Sequence, residues 1–468
     1  MKIKNNVLLE VTEKDVDDNG CFRIPEGVTK IGREAFCECI SLKKITIPEG
    51  VTKIGNCAFL DCESLKEIKI PDSVTEIGDY AFSNCISLEE ITMSNSVTEI
   101  GDCAFSDCMS LKEITIPDGV IEIGSEAFLD CMSLNKITIP NNIAQIGEAA
   151  FHGCTSLEEI TLPNDLTKIK SNMFSCCRSL KEMTIPDSVT EIGIDAFSGC
   201  TSLEKIIIPD SVTRIEDGTF YECAALKEIA FSNSVTTIGD NAFYKCTALK
   251  EVTIPDSVVE IGCDAFYKCT ALKRVTIPDS ITWIGTNAFF GCKSLAEITI
   301  PNSVTKILEC AFDNCENLQQ ITFAGETYPI KCVDGCCMRV LHKKQMQDIT
   351  ILKCMYFPEM DEIVYIAEKN GYTAHGETIR NAVEDLKFKM SQDINLEEHI
   401  KRIKQQGYMN ANDYRLLTGA CREGTNHFLQ EHDLTWEDTM PVGQVLEITK
   451  GQYGFDKFQK AAEQILQD

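Results

Sequence analysis

The stretch IPDSVTEIGDYAFSNCISLEEIT, Ile70 to Thr92, decides the fold because the chain contains nearly the same sequence thirteen times. Phenylalanine recurs every 23 residues without one insertion, from Phe36 through Phe82 to Phe312. A cysteine lies three residues after each of these phenylalanines, and a leucine lies three residues after each cysteine. A fixed period of this length is typical of a repeat architecture, so the repeat determines how every local pattern is interpreted.

Each repeat contains a short strand, a turn and a second apolar segment. Apolar and polar residues alternate in the segment I-K-I, residues 68–70, which places both isoleucines on the core face of a strand. Pro71 follows and ends that strand. Gly78 permits a tight backbone turn, and the spacing from Ala81 to Cys85 suits a single helical or 3₁₀ turn.

One such coil cannot bury its own apolar edge, so neighbouring coils must stack, with strands about 4.8 Å apart in one long parallel sheet. Thirteen coils then form a solenoid roughly 60 Å long, in which equivalent residues line up as columns. Unpaired cysteine behaves as a small buried hydrophobe. Cβ atoms of neighbouring coils are slightly too far apart for unstrained disulfides, which need about 3.5–4.5 Å. The cysteine column is therefore predicted to be core and not a disulfide, metal or redox framework.

The repeat I-P-x-x-V-x-x-I-G-x-x-A-F-x-x-C-x-x-L-x-x-I-x resembles the BspA-type leucine-rich repeat, a 23-residue class found in bacterial surface proteins and in some parasitic protists. The resemblance covers about two thirds of the chain. It implies a leucine-rich-repeat solenoid that binds proteins, with adhesion to host matrix proteins or to other cells as the expected role. It implies no catalytic residue, because the motif positions are all core or turn positions.

The predicted fold is an α/β repeat solenoid, a leucine-rich-repeat superhelix with a long parallel β-sheet, followed by a small all-α C-terminal domain. Leu308 replaces the turn glycine in the last copy, which indicates that the array ends there. The expected divisions are an N-terminal cap over 1–23, the solenoid over 24–325, a C-terminal cap or linker over 326–345 and a helical domain of unknown role over 346–468. Helical patterns are present at residues 361–371, 376–392, 395–407, 411–433 and 455–466.

Charge separates the two parts of the chain. The 468 residues carry a net charge of −28. Residues 331–468 contain 17 Lys and Arg against 22 Asp and Glu, a net charge of −5, which leaves −23 for residues 1–330. An acidic solenoid disfavours nucleic acid and anionic membrane as partners and favours basic or neutral protein surfaces.

The sequence gives two opposite indications of where the protein is located in or on the cell. The N-terminal sequence has acids before any apolar core of a signal peptide could form, and no run approaches the 18 apolar residues of a membrane span. The missing leader and the many thiols favour the cytoplasm. The resemblance instead implies the cell surface, or secretion by a route that needs no leader peptide.

Two surfaces of the solenoid are candidate sites for a protein partner. The outward strand positions, which line the concave face in such solenoids, repeat Lys, Glu and Thr, and this composition is typical of a solvated face with cross-strand charge pairs. Aromatic residues, which are enriched at binding hot spots, cluster elsewhere. If exposed, they form an adhesive stripe on one flank, and if packed between coils they only fill the core. The candidate partner-binding residues are Tyr221, Tyr244, Tyr267, Trp283 and Phe290.

A cysteine cluster after the array has an imperfect pattern for zinc. Cys332, Cys336 and Cys337 with His342 form C-x3-C-C-x4-H, and adjacent cysteines rarely serve one tetrahedral site. Neither a phosphate-binding loop G-x-x-x-x-G-K-[ST] nor H-E-x-x-H occurs in the chain. The sequence therefore predicts no metal and no cofactor.

A thiol and two histidines near the C-terminus offer a possible nucleophile and base. Cys421 and His427 lie six residues apart on a predicted helix, with His432 beyond them, and nothing supplies an oxyanion hole. The sequence therefore predicts that the protein is not an enzyme.

Two hypotheses of function follow. The first is a non-enzymatic, adhesion-type interaction protein whose partner is a host protein, a matrix protein or another cell surface. The second is an effector or regulator whose C-terminal helical domain has an activity and whose repeats select the target. A Cys421-dependent activity favours the second hypothesis, whereas binding that is lost when the repeats are removed favours the first.

Overall fold

The computed structural model describes residues 1–308, 310–323, 325–356, 362–391, 396–418, 420, 422–450 and 455–466. It contains two compact units. Unit 1 comprises Met1–Lys293 and Thr299–Ala311, and unit 2 comprises Ser294–Ile298 and Phe312–Asp468.

Unit 1 begins with β1 Lys2–Lys4, β2 Val7–Glu10 and the 3₁₀ helix Glu13–Asp15. The antiparallel pair β1 and β2 precedes the repeats, and β2 pairs in parallel with the strand 23 residues further on. An extra coil therefore precedes the thirteen predicted from the sequence, and the solenoid has about fourteen turns.

The first strand of most repeats contributes to a set of parallel strands that we name the first ladder, and in two coils it is reduced to single bridges at Glu159 and Glu182. Strands in successive coils pair 23 residues apart, as Glu113 does with Lys136. Their central residue is buried and its two neighbours are exposed, as the alternating pattern predicts. The first ladder comprises β3 Cys21–Arg23, β5 Lys44–Thr46, β7 Glu67–Lys69, β9 Glu90–Thr92, β11 Glu113–Thr115, β13 Lys136–Thr138, β17 Lys205–Ile207, β19 Glu228–Ala230, β21 Glu251–Thr253, β23 Arg274–Thr276, β25 Glu297–Ile300 and β27 Gln320–Phe323.

The segment before the turn glycine forms a second set of parallel strands, the second ladder. Each is two residues long and ends in a largely buried isoleucine. The second ladder comprises β4 Lys30–Ile31, β6 Lys53–Ile54, β8 Glu76–Ile77, β10 Glu99–Ile100, β12 Glu122–Ile123, β14 Gln145–Ile146, β15 Lys168–Ile169, β16 Glu191–Ile192, β18 Arg214–Ile215, β20 Thr237–Ile238, β22 Glu260–Ile261, β24 Trp283–Ile284 and β26 Lys306–Ile307.

The core of unit 1 is built from columns of identical side chains. The phenylalanine rings from Phe36 to Phe289 stack nearly parallel, with centroids 4.8 Å to 5.6 Å apart. Each of these side chains is fully buried. A turn glycine such as Gly78 lets the coils approach, because a Cβ atom there would lie 2.8 Å from the backbone nitrogen of Asn56 in the preceding coil.

The predicted cysteine column is confirmed as core. All thirteen repeat cysteines are buried thiols and not disulfides. The Cys200 thiol donates a hydrogen bond to the carbonyl oxygen of Phe174 in the preceding coil at 3.1 Å, and the same contact recurs along the column. Cysteine thus fills a small apolar space and also supplies a weak donor for a buried carbonyl.

Unit 2 contains an antiparallel meander after the repeats. The strands pair in chain order from β27 to the last strand. The meander strands are β28 Glu326–Val333, β29 Cys336–Met346, β30 Ile349–Tyr356, β31 Ile363–Lys369 and β32 Tyr372–Gly376.

Helices follow the meander, as the sequence predicts. Four of them contribute to a core that includes Ile403, Phe458 and Ile465, and a short pair of strands contributes Met409 and Met440 to it. The elements are α1 Ile379–Ser391, α2 Leu396–Gln406, β33 Tyr408–Met409, α3 Ala411–Thr418, α4 Arg422–Glu431, β34 Met440–Pro441, α5 Val442–Ile448 and α6 Phe455–Leu466.

The solenoid and the helical C-terminus are confirmed, but the helix predicted over residues 361–371 is wrong. This segment contains β31 instead, and the predicted linker 326–345 forms β28 and most of β29. Asn370 and Gly371 have positive φ angles of 51° and 83° and form a hairpin turn, not a helix end. Residues 346–468 therefore contain strands before their helices.

The described helices include none that is both long and apolar enough to cross a membrane.

Candidate functional site

Four of the five predicted partner-binding residues lie together on one flank of unit 1. Tyr221, Tyr244, Tyr267 and Phe290 follow the core phenylalanine in four consecutive coils. Their rings stack with centroids 4.6 Å, 4.7 Å and 4.8 Å apart and with planes within 5° of parallel. All four side chains are half-buried, so the stack presents ring edges to solvent. We call these four residues the aromatic stripe.

The backbone fixes the spacing of the aromatic stripe. The amide of Glu222 donates to the carbonyl oxygen of Tyr244 at 2.7 Å, and the amide of Lys245 donates in the same way to Tyr267. These hydrogen bonds run from one coil to the next. The ring spacing therefore follows from the coil spacing and not from flexible side-chain adjustment.

Lysines lie beside the aromatic stripe in a unit that is otherwise acidic. The Lys245 and Lys268 ammonium groups lie 5.2 Å and 5.3 Å from the ring centroids of Tyr244 and Tyr267. Lys245 also pairs with Glu222 at 2.7 Å, and this hydrogen bond raises the pKa of Lys245. Burial raises the pKa of the Tyr244 hydroxyl. Tyr244 therefore stays neutral and Lys245 stays charged at neutral pH.

Trp283 does not belong to the aromatic stripe. It lies in β24 of the second ladder, where it is half-buried and pairs in register with Lys306. The four residues of the stripe lie instead in the turn after that ladder. Trp283 was among the candidates because it is close to Phe290 in sequence, but the turn between these two residues separates Trp283 from the aromatic stripe.

The outward face of the first ladder carries ion pairs between neighbouring coils. Lys227 pairs with Glu204 at 2.7 Å, and Lys181 pairs with Glu158 at 3.1 Å. Both pairs are at least half exposed, and exposed pairs of this kind contribute little binding or stability. An open cavity of about 460 Å³ lies over this face near Lys69. The predicted solvated face with cross-strand charge pairs is confirmed.

One interruption of that face was not anticipated from the sequence. The outward position after the buried strand residue is threonine in most coils, but it is Ile207 in β17 and Ala230 in β19. These two residues are paired, and Ile207 is 58% exposed. The signal was available in the sequence, because Arg23, Lys69, Ile207 and Ala230 are the only residues of this column that are not threonine.

The candidate zinc cluster has a different arrangement. Cys332 and Cys337 are joined by a disulfide, which removes both as thiolate ligands. Among the described residues, no group of three or more His, Cys, Asp or Glu side chains is placed to hold a metal ion.

Of the candidate nucleophile and bases, Cys421 lies outside the described residues. His427 pairs with Glu431 at 3.2 Å, and His432 contacts the carbonyl oxygen of Phe428 at 3.0 Å. Both histidines therefore contact neighbours on or beside α4.

Stacked 23-residue coils with columns of Phe, Cys and Leu define unit 1 as a leucine-rich-repeat solenoid. The chain matches the family described as the BspA type leucine rich repeat region (6 copies) over residues 20–135, 121–250 and 236–339. It therefore belongs to the BspA-type leucine-rich repeat family.

Two solved structures illustrate the likeness. A leucine-rich repeat protein from Bacteroides ovatus is 37% identical, with a TM-score of 0.61, and the match covers 64% of this chain and 80% of that chain. A leucine rich cell surface protein from Faecalibacterium prausnitzii is 32% identical, with a TM-score of 0.43, and the match covers 65% of this chain and 85% of that chain. No curated protein matches the chain.

Proposed function

We propose that this chain is a non-enzymatic interaction protein of the adhesion type, which binds a protein partner through the aromatic stripe. The observation that carries the proposal is the stack of Tyr221, Tyr244, Tyr267 and Phe290 with its edges in solvent. Family membership supports protein binding in general. The partner class that we propose is a host protein, a matrix protein or a protein of another cell surface.

Rigid aromatic side chains suit this role for a physical reason. Tyrosine and phenylalanine supply large contact areas, and the stacked rings lose little conformational freedom on binding because the coils already fix them. The phenolic hydroxyl groups and the adjacent Lys245 and Lys268 add polar contacts at the edge of the apolar area. A basic or neutral protein surface with an apolar patch fits this surface best, because the solenoid around the aromatic stripe is acidic.

The experiment replaces Tyr221, Tyr244, Tyr267 and Phe290 together with serine. Immobilised wild-type protein and the variant are exposed to extracellular-matrix proteins, and bound proteins are quantified by mass spectrometry. A protein retained by the wild type is then purified and its affinity measured by calorimetry. We expect the variant to lose several kcal/mol of binding free energy and to keep its circular dichroism spectrum.

A matched control replaces with serine four exposed lysines that come directly before the first-ladder positions of their coils, namely Lys181, Lys227, Lys250 and Lys273. We expect this control to bind as the wild type does, because these lysines lie on the solvated face. If the control loses binding and affinity falls with added salt, the strand face is the site instead. If the serine variant of the stripe unfolds, the aromatics serve as packing and the flank is withdrawn.

A further inference from the structure

Unit 2 contains two buried charged networks that stability alone does not explain. Asp334, in the turn between β28 and β29, contacts Nδ1 of His375 at 3.0 Å and also pairs with Lys389. Asp385 of α1 pairs with Arg415 of α3 at 3.0 Å, and both side chains are about 5% exposed. Buried ion pairs are often no more stabilising than apolar residues of the same volume. Such groups next to a cleft are characteristic of functional sites.

Both networks lead to the same cleft. His375 at the end of β32 and Asp385 on α1 line a cavity of about 390 Å³ between β32, α1 and α4. Each of the two wall side chains is oriented by a second buried residue, Asp334 for the histidine and Arg415 for the aspartate. Residues of a binding site are commonly held in this way by supporting contacts.

The rim of the cleft carries two arginines, two asparagines and two glutamates. Arg422 begins α4, and its amide donates to Asp385 at 2.7 Å while its guanidinium lies 5.8 Å from the Trp436 ring. Arg380 is largely exposed and uses Nε to bind Glu384. The remaining rim residues are Asn381, Asn426, Glu377 and Gly376.

We propose that this cleft binds a small polar molecule that carries an oxyanion, either a carboxylate or a phosphate, beside a hydroxyl group. Guanidinium groups match carboxylate and phosphate oxygens in geometry and charge, so Arg422 binds the oxyanion, while the nearby Arg380 is held by Glu384. The Asp385 carboxylate at the wall accepts a hydrogen bond from the hydroxyl group. The cavity volume lies within the range of small-molecule sites.

The experiment uses the full-length chain with labelled histidine, which has six imidazole groups. The imidazole resonances are recorded by NMR during titration with glycerol phosphate, with glycerate and with glycerol as the uncharged control. We expect one of the two anions to shift the His375 resonance in a saturable way and glycerol to leave it unchanged. His152, which lies in the solenoid, serves as the internal reference and should not shift.

Two variants test the role of the rim. Arg422→Ala removes an exposed guanidinium and leaves the backbone contact with Asp385, so we expect about tenfold weaker anion binding in a folded protein. Arg23→Ala removes an exposed guanidinium from the solenoid and should change nothing. If the titration with glycerol phosphate saturates, the bound oxyanion is a phosphate, and if the titration with glycerate saturates, it is a carboxylate. The proposal is overturned if neither anion shifts His375, if glycerol acts equally, or if Arg422→Ala binds like the wild type.

Discussion

At the scale of single residues, the solenoid depends on side chains that each occupy one column. Phe174 stacks between Phe151 and Phe197 with centroids 5.6 Å from both, and it is fully buried. The rigid coil spacing prevents neighbouring side chains from moving into an emptied site. A truncation in the column therefore leaves a cavity and not a repacked core.

We expect Phe174→Ala to lower the free energy of unfolding by about 3–5 kcal/mol, the usual range for a buried aromatic side chain. Urea denaturation, monitored by circular dichroism, measures this free energy of unfolding. Tyr80→Ala is the control, because Tyr80 is 46% exposed and its removal should cost less than about 1 kcal/mol. Equal effects of the two substitutions would show that the phenylalanine column contributes no more than a surface position.

At the scale of elements, the repeats were predictable from sequence and the meander was not. Columns of Phe36, Phe59 and their equivalents follow from a period that never changes, so one coil determines all others. The run Ile363, Val364, Tyr365, Ile366 fits either a strand or a buried helix by periodicity alone. Asn-Gly after it is compatible with both a helix end and a hairpin turn, and hydrogen bonds with β30 and β32 select the strand.

The candidate sites show the same division. The aromatic stripe was predictable because its residues recur at the repeat period. The cleft was not, because Asp334 and His375 are 41 residues apart in sequence and meet only through strand pairing. No local pattern marks residues that the meander brings together.

Within the meander, Asp334 joins the hairpin turn between β28 and β29 to β32 and α1. Burial alone would raise the pKa of Asp334, but its hydrogen bond with His375 and the nearby Lys389 charge outweigh burial and lower the pKa. A carboxyl group with a lowered pKa in the folded state contributes stability above its unfolded pKa. That contribution is lost as the pH falls through the folded pKa.

We expect Asp334→Asn to destabilise unit 2 by about 3–5 kcal/mol at neutral pH, because Lys389 keeps a largely buried charge without its carboxylate. The difference from the wild type should shrink in acid. The measurement is urea denaturation monitored by tryptophan fluorescence in a Trp283→Phe background. In that background Trp436 of unit 2 is the one tryptophan left, so the signal reports the unfolding of unit 2. Asp348→Asn removes a more exposed partner of Lys369 and should cost less than about 1 kcal/mol. A pH-independent loss would show that Asp334 acts through shape and not charge.

At the scale of the whole molecule, the chain combines a regular solenoid with an irregular second unit. Each coil contacts its neighbours, and equivalent residues pair 23 positions apart throughout the described ladders. The acidic excess belongs mainly to residues 1–330, whose net charge is −23. Repeat arrays of this kind have stabilities that are close to sums over coils and the interfaces between them.

This organisation predicts that the solenoid tolerates the removal of 23 residues, which is one complete coil, or of a multiple of 23 residues, and does not tolerate the removal of a different number. Deleting Phe128 to Ala150 removes one complete coil and lets Phe151 stack on Phe105, so every column stays in register. We expect this variant to fold, with a melting temperature only a few degrees lower. Deleting Ser133 alone shifts every later column by one residue relative to earlier coils, which exposes apolar residues and buries polar ones. We expect that variant to lose cooperative unfolding in thermal melts followed by circular dichroism. Equal melting of the two variants would show that the columns do not hold the coils in register.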